Sequence, residues 1–232
     1  MMALRVLTLD SAFDLPTTYL ALWMSKIAEG ARLMGHQVLS LRGGDATESN
    51  LIGAIDSFQP QYLYIGGHGG PDIITTTNLQ PLIVACQNDQ MLSGRQTFFI
   101  SCLTGRVLVP SVVSKKGVAA AGFTAEYAWV VSPPYLPDQD IYAKPFERMI
   151  VEPALEVLRT GRWSSWYSKI QSVAREEEAA WLQSDDPLAS QVVICIRQDK
   201  NAATFVSATE EMPGFDLKTL VVGGYLLKLL LG

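Results

Sequence analysis

The sequence predicts an α/β fold with a mainly parallel, doubly wound sheet and helices on both faces. Short apolar runs typical of strands alternate with longer segments in which apolar residues recur at helical spacing. Hydrophobic residues make up 48% of the chain and charged residues only 18%, which is enough apolar surface for a sizeable core. With no internal repeat and no shift in composition, we expect residues 1–232 to form a single domain.

The elements follow one another in a regular order. Asp14 is expected to cap the first helix, with Pro16 in its first turn, and Gly35 to end it. The expected strands are residues 5–10, 36–41, 62–65, 97–101, 117–123 and 192–197, and the expected helices are residues 17–34, 47–58, 81–92, 145–159 and 164–182. The core would cover residues 5–131, the C-terminal helices and last strand residues 140–208, and an apolar tail residues 217–232.

The charge and the cysteine content indicate which partners and which cellular compartment to expect. A net charge of -5 without a local cluster of Lys and Arg argues against nucleic acid and anionic membrane surfaces as partners. Three widely spaced cysteines favour a reducing compartment, so we expect a cytoplasmic protein. The N-terminus lacks the features of a signal peptide. The apolar tail is too short to span a bilayer and is expected to dock on the domain or on an activating or assembly partner.

Two strand ends carry residues suited to chemistry. The apolar run YLYI leads into Gly66-Gly67-His68-Gly69-Gly70, and TFFIS leads into Cys102-Leu103-Thr104-Gly105. The carboxyl ends of parallel strands meet at one edge of a sheet, so we expect His68 and Cys102 to lie close together. A cysteine nucleophile needs a partner that handles protons near neutral pH, and histidine is the side chain best suited to that task. The backbone N–H groups of Gly69 and Cys102 are natural donors to a developing oxyanion.

With IGGHGG and ISCLTG the sequence resembles the caspase-like clan of cysteine peptidases, which includes gingipains, clostripain, separase and the CHAT peptidases. The resemblance covers residues 5–131 and implies a three-layer caspase-like fold. It implies that Cys102 attacks a peptide carbonyl and that His68 protonates the departing amine. No aspartate is clearly placed in the sequence to orient His68, and clan members commonly use a backbone carbonyl for this. The short spacing from His68 to Cys102 favours a CHAT-like or gingipain-like relative over a true caspase.

The substrate would be a protein or peptide, and its residue preference depends on the pocket beside Cys102. An acid there would favour Arg or Lys before the scissile bond, with Glu126 as first candidate and Asp72 as second. A solvated position is the alternative interpretation of Glu126.

Two other classes of protein stay open: a catalytically silent caspase-fold module that binds proteins, and a nucleotide or small-molecule binder. The glycine-rich turn lacks the spacing of a P-loop or a dinucleotide site, and no cofactor is expected. No residues have the spacing of a zinc site. We expect His36 on the surface, Cys86 packed in a helix and Cys195 packed in a strand.

Overall fold

The computed structural model describes residues 2–213 and contains a six-stranded sheet. The strands are β1 Arg5–Asp10, β2 Gln37–Arg42, β3 Tyr62–Gly66, β4 Ile73–Thr75, β5 Pro81–Val84, β6 Gln96–Ile100, β7 Ala119–Phe123 and β8 Ala203–Ser207. The order of the strands in the six-stranded sheet is β2-β1-β3-β6-β7-β8. The first five strands in that order are parallel, and β8 joins the edge antiparallel to β7. The helices are α1 Leu15–Leu33, α2 Glu48–Phe58, α3 Leu108–Ser114, α4 Lys144–Thr160, α5 Trp163–Leu182 and α6 Ala189–Ala202.

Two hydrophobic cores lie on opposite faces of the sheet. Helices α1, α4, α5 and α6 pack on one face, and α2, α3 and the β4–β5 hairpin pack on the other. Along β3, Tyr64 faces the first core whereas Leu63 and Ile65 face the second. This alternation is what a strand buried on both faces requires, because successive side chains point to opposite sides. The predicted three-layer α/β fold is confirmed.

The helix expected over residues 81–92 is wrong. Residues Pro81–Val84 form β5, which pairs antiparallel with β4, and a short 3-10 helix follows at Asp89–Leu92. Cys86 has a positive φ of 61°, which a helix does not allow, and it is exposed. The Asn88 side chain accepts a hydrogen bond from the Val84 N–H at 2.7 Å and stabilises the turn instead. The connection from β3 to β6 is therefore a hairpin rather than a crossover helix.

The strand expected over residues 192–197 is also wrong. Its apolar run lies inside α6, which buries Val192, Val193 and Ile196 and leaves Ile194 62% exposed. That pattern follows the helical period of 3.6, which a run of five apolar residues is too short to distinguish from a buried strand. Cys195 is accordingly on a helix, half-buried. Within residues 2–213 the last strand is β8, directly after α6.

The fold places a crevice at the carboxyl ends of β1, β3 and β6. The chain connects β1 to β2 on one side of β1 and continues with β3 on the other side, so the connections diverge there. Such a switch point is where open α/β sheets bind ligands. The apolar tail, residues 217–232, lies outside the described residues. Within residues 2–213, every helix is too short or too polar to cross a membrane.

Candidate active site

His68 and Cys102 follow neighbouring parallel strands at equivalent positions. Gly66 at the end of β3 pairs with Ile100 at the end of β6, and each functional residue comes two positions later. The register of the two strands therefore brings the imidazole and the thiol to the same height at one edge of the sheet. The sequence predicted this placement from the two apolar runs alone.

Both side chains line one cavity of about 320 Å³. Its walls come from the start of α1, from the loops after β3 and β6, and from the extended segment after β7. The lining residues are Leu15, Pro16, Tyr19, Leu20, Gly67, His68, Ile100, Ser101, Cys102, Tyr127, Ala128, Trp129 and Val131. Most of this surface is apolar.

A carboxylate holds the His68 ring, which corrects the expectation that no aspartate serves this purpose. Asp14 Oδ2 lies 2.6 Å from His68 Nε2, and the Phe13 ring meets the imidazole edge-on at a centroid distance of 5.7 Å. The backbone of the same loop is fixed because the Thr75 N–H donates to the His68 carbonyl at 2.8 Å. The sequence showed Asp14 only as a helix cap, and that prediction is confirmed too.

Asp14 performs both tasks with different oxygens. Its Oδ1 accepts hydrogen bonds from the Thr17 N–H at 3.0 Å and from Thr17 Oγ1 at 2.6 Å, while Oδ2 faces His68. Burial alone would raise the pKa of Asp14, but the hydrogen bonds from Thr17 and His68 outweigh it and lower that pKa. The carboxylate is therefore ionised at neutral pH and accepts a hydrogen bond from the Nε2–H group of His68. This leaves Nδ1 of His68 as the ring nitrogen that can exchange protons at the cavity.

The Cys102 thiol is half-buried and neutral. Burial is the main cause that raises its pKa, and the nearby carboxylates of Glu126 and Asp199 raise it further. The thiol also makes a long S–H···O contact of 4.0 Å with the Tyr127 carbonyl. No resting thiolate is therefore expected in the absence of substrate. A neutral thiol needs a base to take its proton at the moment of attack.

The raised pKa of Cys102 predicts slow alkylation at neutral pH. The experiment uses the Cys86→Ser, Cys195→Ser double variant, so that Cys102 is the cysteine that reacts. An unperturbed thiol such as N-acetylcysteine titrates near pH 8.5. We expect the rate at which iodoacetamide modifies Cys102 to keep rising above that pH. Mass spectrometry of samples quenched between pH 6 and 10 measures the rate. A profile that is flat from pH 6 upward would contradict this, because it is typical of a stable thiolate–imidazolium pair.

The glycine after His68 packs directly against the cysteine loop. A Cβ on Gly69 would overlap Ser101 Oγ and lie 2.9 Å from the Ile73 carbonyl oxygen and 3.1 Å from that of Cys102. Among the hydrogen bonds formed within residues 2–213, none engages the N–H group of Gly69 or that of Cys102. Gly69 thus lies against the backbone of Cys102, and the amides of both residues are without a partner among the described residues.

Neither acid expected in the substrate pocket lines the cavity. Glu126 is exposed, and its carbonyl accepts a hydrogen bond from Gln198 Nε2 at 2.7 Å. Asp72 is exposed in the hairpin, where its carbonyl accepts from the Ala85 N–H at 2.8 Å. Glu126 is near enough to affect the pKa of Cys102, but it faces solvent rather than the cavity.

His36, expected on the surface, is only 7% exposed. Its Nδ1 accepts a hydrogen bond from the Leu4 N–H at 3.3 Å, and burial lowers its pKa. It therefore has a structural role where α1 joins β2. Within residues 2–213, the structure contains no group of three or more His, Cys, Asp and Glu side chains suited to hold a metal ion.

Two solved structures that are similar to this chain are of cysteine proteases. The Arg-specific cysteine proteinase gingipain R matches with a TM-score of 0.59 at 12% identity, covering 88% of this chain and 46% of that chain. A secreted C11 cysteine protease from Bacteroides thetaiotaomicron, in complex with an irreversible peptide inhibitor, matches with a TM-score of 0.49 at 12% identity, covering 76% and 60% of the two chains. No family model and no curated protein matches the sequence.

The likeness to gingipain R shows that this chain has the caspase-like protease fold. This chain spans about half the length of that protease. Because fold alone does not determine function, the chemistry has to be argued from the site.

Proposed function

We propose that this chain is a cysteine peptidase of the caspase-like clan in which Cys102 and His68 form the catalytic dyad. The observation that carries the proposal is the meeting of a thiol and a carboxylate-bound imidazole in one cavity at the carboxyl ends of neighbouring strands. These are the nucleophile, base and orienting group that acyl transfer requires. The fold, shared with a known cysteine proteinase, agrees with this assignment.

The proposed reaction proceeds through an acyl-enzyme. The Cys102 sulfur attacks the carbonyl carbon of the scissile bond while its proton passes to His68, and the oxyanion accepts hydrogen bonds from the Gly69 and Cys102 N–H groups. His68 then gives the proton to the leaving nitrogen as the C–N bond breaks. Water then attacks the carbonyl carbon of the thioester. The C–S bond breaks, the acyl group leaves as a carboxylic acid, and a proton from the water restores the Cys102 thiol. Asp14 contributes by stabilising the positive charge that develops on the imidazole.

Covalent labelling tests the proposal without assuming a substrate preference. We expect a mixture of peptide acyloxymethyl ketones, with all residue types next to the warhead, to modify Cys102 in the wild-type chain. Cys102→Ala should abolish the adduct and His68→Ala should slow its formation by about 10²-fold or more, the lower range of general acid–base effects. Peptide mapping by mass spectrometry locates the modified residue. Cys195→Ala is the matched control, because Cys195 is also half-buried but lies on α6.

One observation favours the alternative of a catalytically silent caspase-fold module: the raised pKa of Cys102. Such a module would react with iodoacetamide at high pH but with none of the peptide ketones, because it lacks the base that activates the thiol. That outcome would overturn the proposed peptidase.

The expected location and partners stay predictions. The expectation of cleavage after a basic residue depends on Glu126 and Asp72, both of which lie outside the cavity lining, so the cavity gives it no support. The cytoplasmic location rests on cysteine usage alone, and docking of the apolar tail concerns residues outside those described.

A further inference from the structure

We propose that the cavity beside Cys102 is a specificity pocket that selects a large apolar or aromatic side chain next to the scissile bond, rather than Arg or Lys. This inference rests on the proposed peptidase function and names the substrate class of the same site. It follows from the side chains that form the walls, from the volume they enclose and from the positions of Asp14, Asp140 and Asp199.

The walls of the pocket are aromatic and aliphatic. Helix α1 contributes Tyr19 and Leu20, and the segment after β7 contributes Tyr127, Trp129 and Val131. The aromatic members support each other, with the Trp129 ring at centroid distances of 6.3 Å from Tyr19 and 6.1 Å from Tyr127. A wall braced in this way is preorganised, so a bound side chain loses little free energy to rearrangement of the pocket.

The size of the pocket fits one large side chain. Its volume of about 320 Å³ corresponds to about ten water molecules, at roughly 30 Å³ each. An isoleucine, Ile100, contributes to the lining together with Cys102, so a side chain in the pocket would be held next to the sulfur. Burying an apolar side chain against such walls is favourable in proportion to the apolar area removed from water.

The nearby carboxylates are engaged in other contacts. Asp140 lies behind Tyr19, where its oxygens accept hydrogen bonds from the Tyr19 hydroxyl at 2.6 Å, the Ser132 N–H at 2.9 Å and the Tyr142 N–H at 3.1 Å. Asp14 is held by Thr17 and His68. Both acids therefore have partners that an incoming cation would have to displace.

A further buried acid, Asp199, lies on α6 behind the pocket wall. It accepts a hydrogen bond from the Ala128 N–H at 3.0 Å, and burial raises its pKa well above the usual range. Its other oxygen, Oδ2, has no hydrogen-bond partner among the described residues, but Asp199 lies outside the cavity lining, and that lining contains no carboxylate. Burying a guanidinium or an ammonium group without a carboxylate partner is costly. A basic side chain is thus disfavoured in this pocket.

The test compares single peptide acyloxymethyl ketones that differ only in the residue next to the warhead: Leu, Phe, Arg, Lys and Asp. In the wild-type chain we expect Leu or Phe to label Cys102 at least tenfold faster than Arg or Lys. Faster labelling by Arg or Lys would overturn the apolar pocket and leave the peptidase standing. No labelling by any ketone, with iodoacetamide still reacting, would overturn the peptidase itself and this inference with it.

A variant designed to change the specificity of the pocket provides a second test. Val131→Asp puts a carboxylate on the pocket wall and should improve labelling by Arg relative to Leu by at least tenfold. Val130→Asp is the matched control, since this neighbour on the same extended segment lies outside the cavity lining and should keep the wild-type order. Both variants are first compared with wild type by circular dichroism and thermal unfolding. If either fails to fold, the wild-type order of rates still decides the proposal.

Discussion

Asp14→Asn is expected to lower kcat by about 10²- to 10⁴-fold with little change in KM, the range over which a correctly held acid–base group contributes. The side-chain oxygen of Asn can still accept the Thr17 N–H hydrogen bond, and Asn caps helices as well as Asp does. The lost element is the negative charge 2.6 Å from His68 Nε2. Stability should therefore be nearly unchanged. Steady-state kinetics on a peptide amide and urea unfolding measure the two effects separately.

Thr17→Val is the matched control for Asp14→Asn. It removes the Thr17 hydroxyl, which accepts hydrogen bonds from the Phe13 N–H at 2.9 Å and the Asp14 N–H at 3.0 Å and donates one to Asp14 Oδ1 at 2.6 Å. The Thr17 N–H still donates to Oδ1, and the carboxylate keeps its charge beside His68. We expect it to lower the free energy of unfolding by about 1 kcal/mol, as for loss of a helix cap, with a small effect on kcat. If Asp14→Asn instead lowered the free energy of unfolding and left kcat unchanged, Asp14 would have a structural role as a helix cap and no role in the reaction.

The two roles of Asp14 show which features of the site could be predicted from the sequence and which could not. A helix cap is local, because its signal is a residue type three positions before its partner, and the cap at Asp14 was predicted at the right residue. The contact of Asp14 with His68 joins residues 54 positions apart. No local pattern contains it, although the carboxyl ends of β1 and β3 had to meet once the sheet was parallel. A list of all polar residues just beyond predicted parallel strands would have included Asp14.

The wrong elements have a common physical cause. Residues 81–92 and 192–197 both contain short apolar runs, for which the periods of helix and strand cannot be separated. Pairing with β4 made the first a strand, and packing against the sheet made the second a helix. Neither error affected the predicted positions of His68 and Cys102. The strands that precede them, β3 and β6, are buried on both faces, and their apolar runs were predicted as strands without ambiguity.

The residues that determine the charge of the pocket were the hardest part of the site to predict from the sequence. Glu126 was selected because it follows the strand after Cys102, but the backbone turns its side chain to solvent and presents Tyr127 and Trp129 to the cavity instead. Which residue of an extended segment faces a cavity depends on its twist and on its neighbours, and a shift of one residue reverses the answer.

Gly69→Ala is expected to lower kcat by about 10²- to 10³-fold, the effect of losing one oxyanion donor. The added methyl group would overlap Ser101 Oγ and press on the carbonyl oxygens of Ile73 and Cys102, at 2.9 and 3.1 Å. The two backbone contacts cannot be relieved by a change of rotamer, so the His68 loop has to move away from the Cys102 loop. We also expect a loss of about 1–3 kcal/mol in the free energy of unfolding, as for other overpacked sites.

Two further variants separate displacement of the catalytic loops from general destabilisation. Gly53→Ala, in α2, adds a methyl group with no neighbour within 4 Å and should stabilise the chain by up to about 1 kcal/mol without changing kcat. Ser101→Ala removes a hydroxyl that has no partner among the described residues, so combined with Gly69→Ala it relieves only the side-chain overlap. The double variant should therefore regain stability but little kcat. Full recovery of kcat would mean that the clash with Ser101, and not the position of the Gly69 amide, limits the reaction.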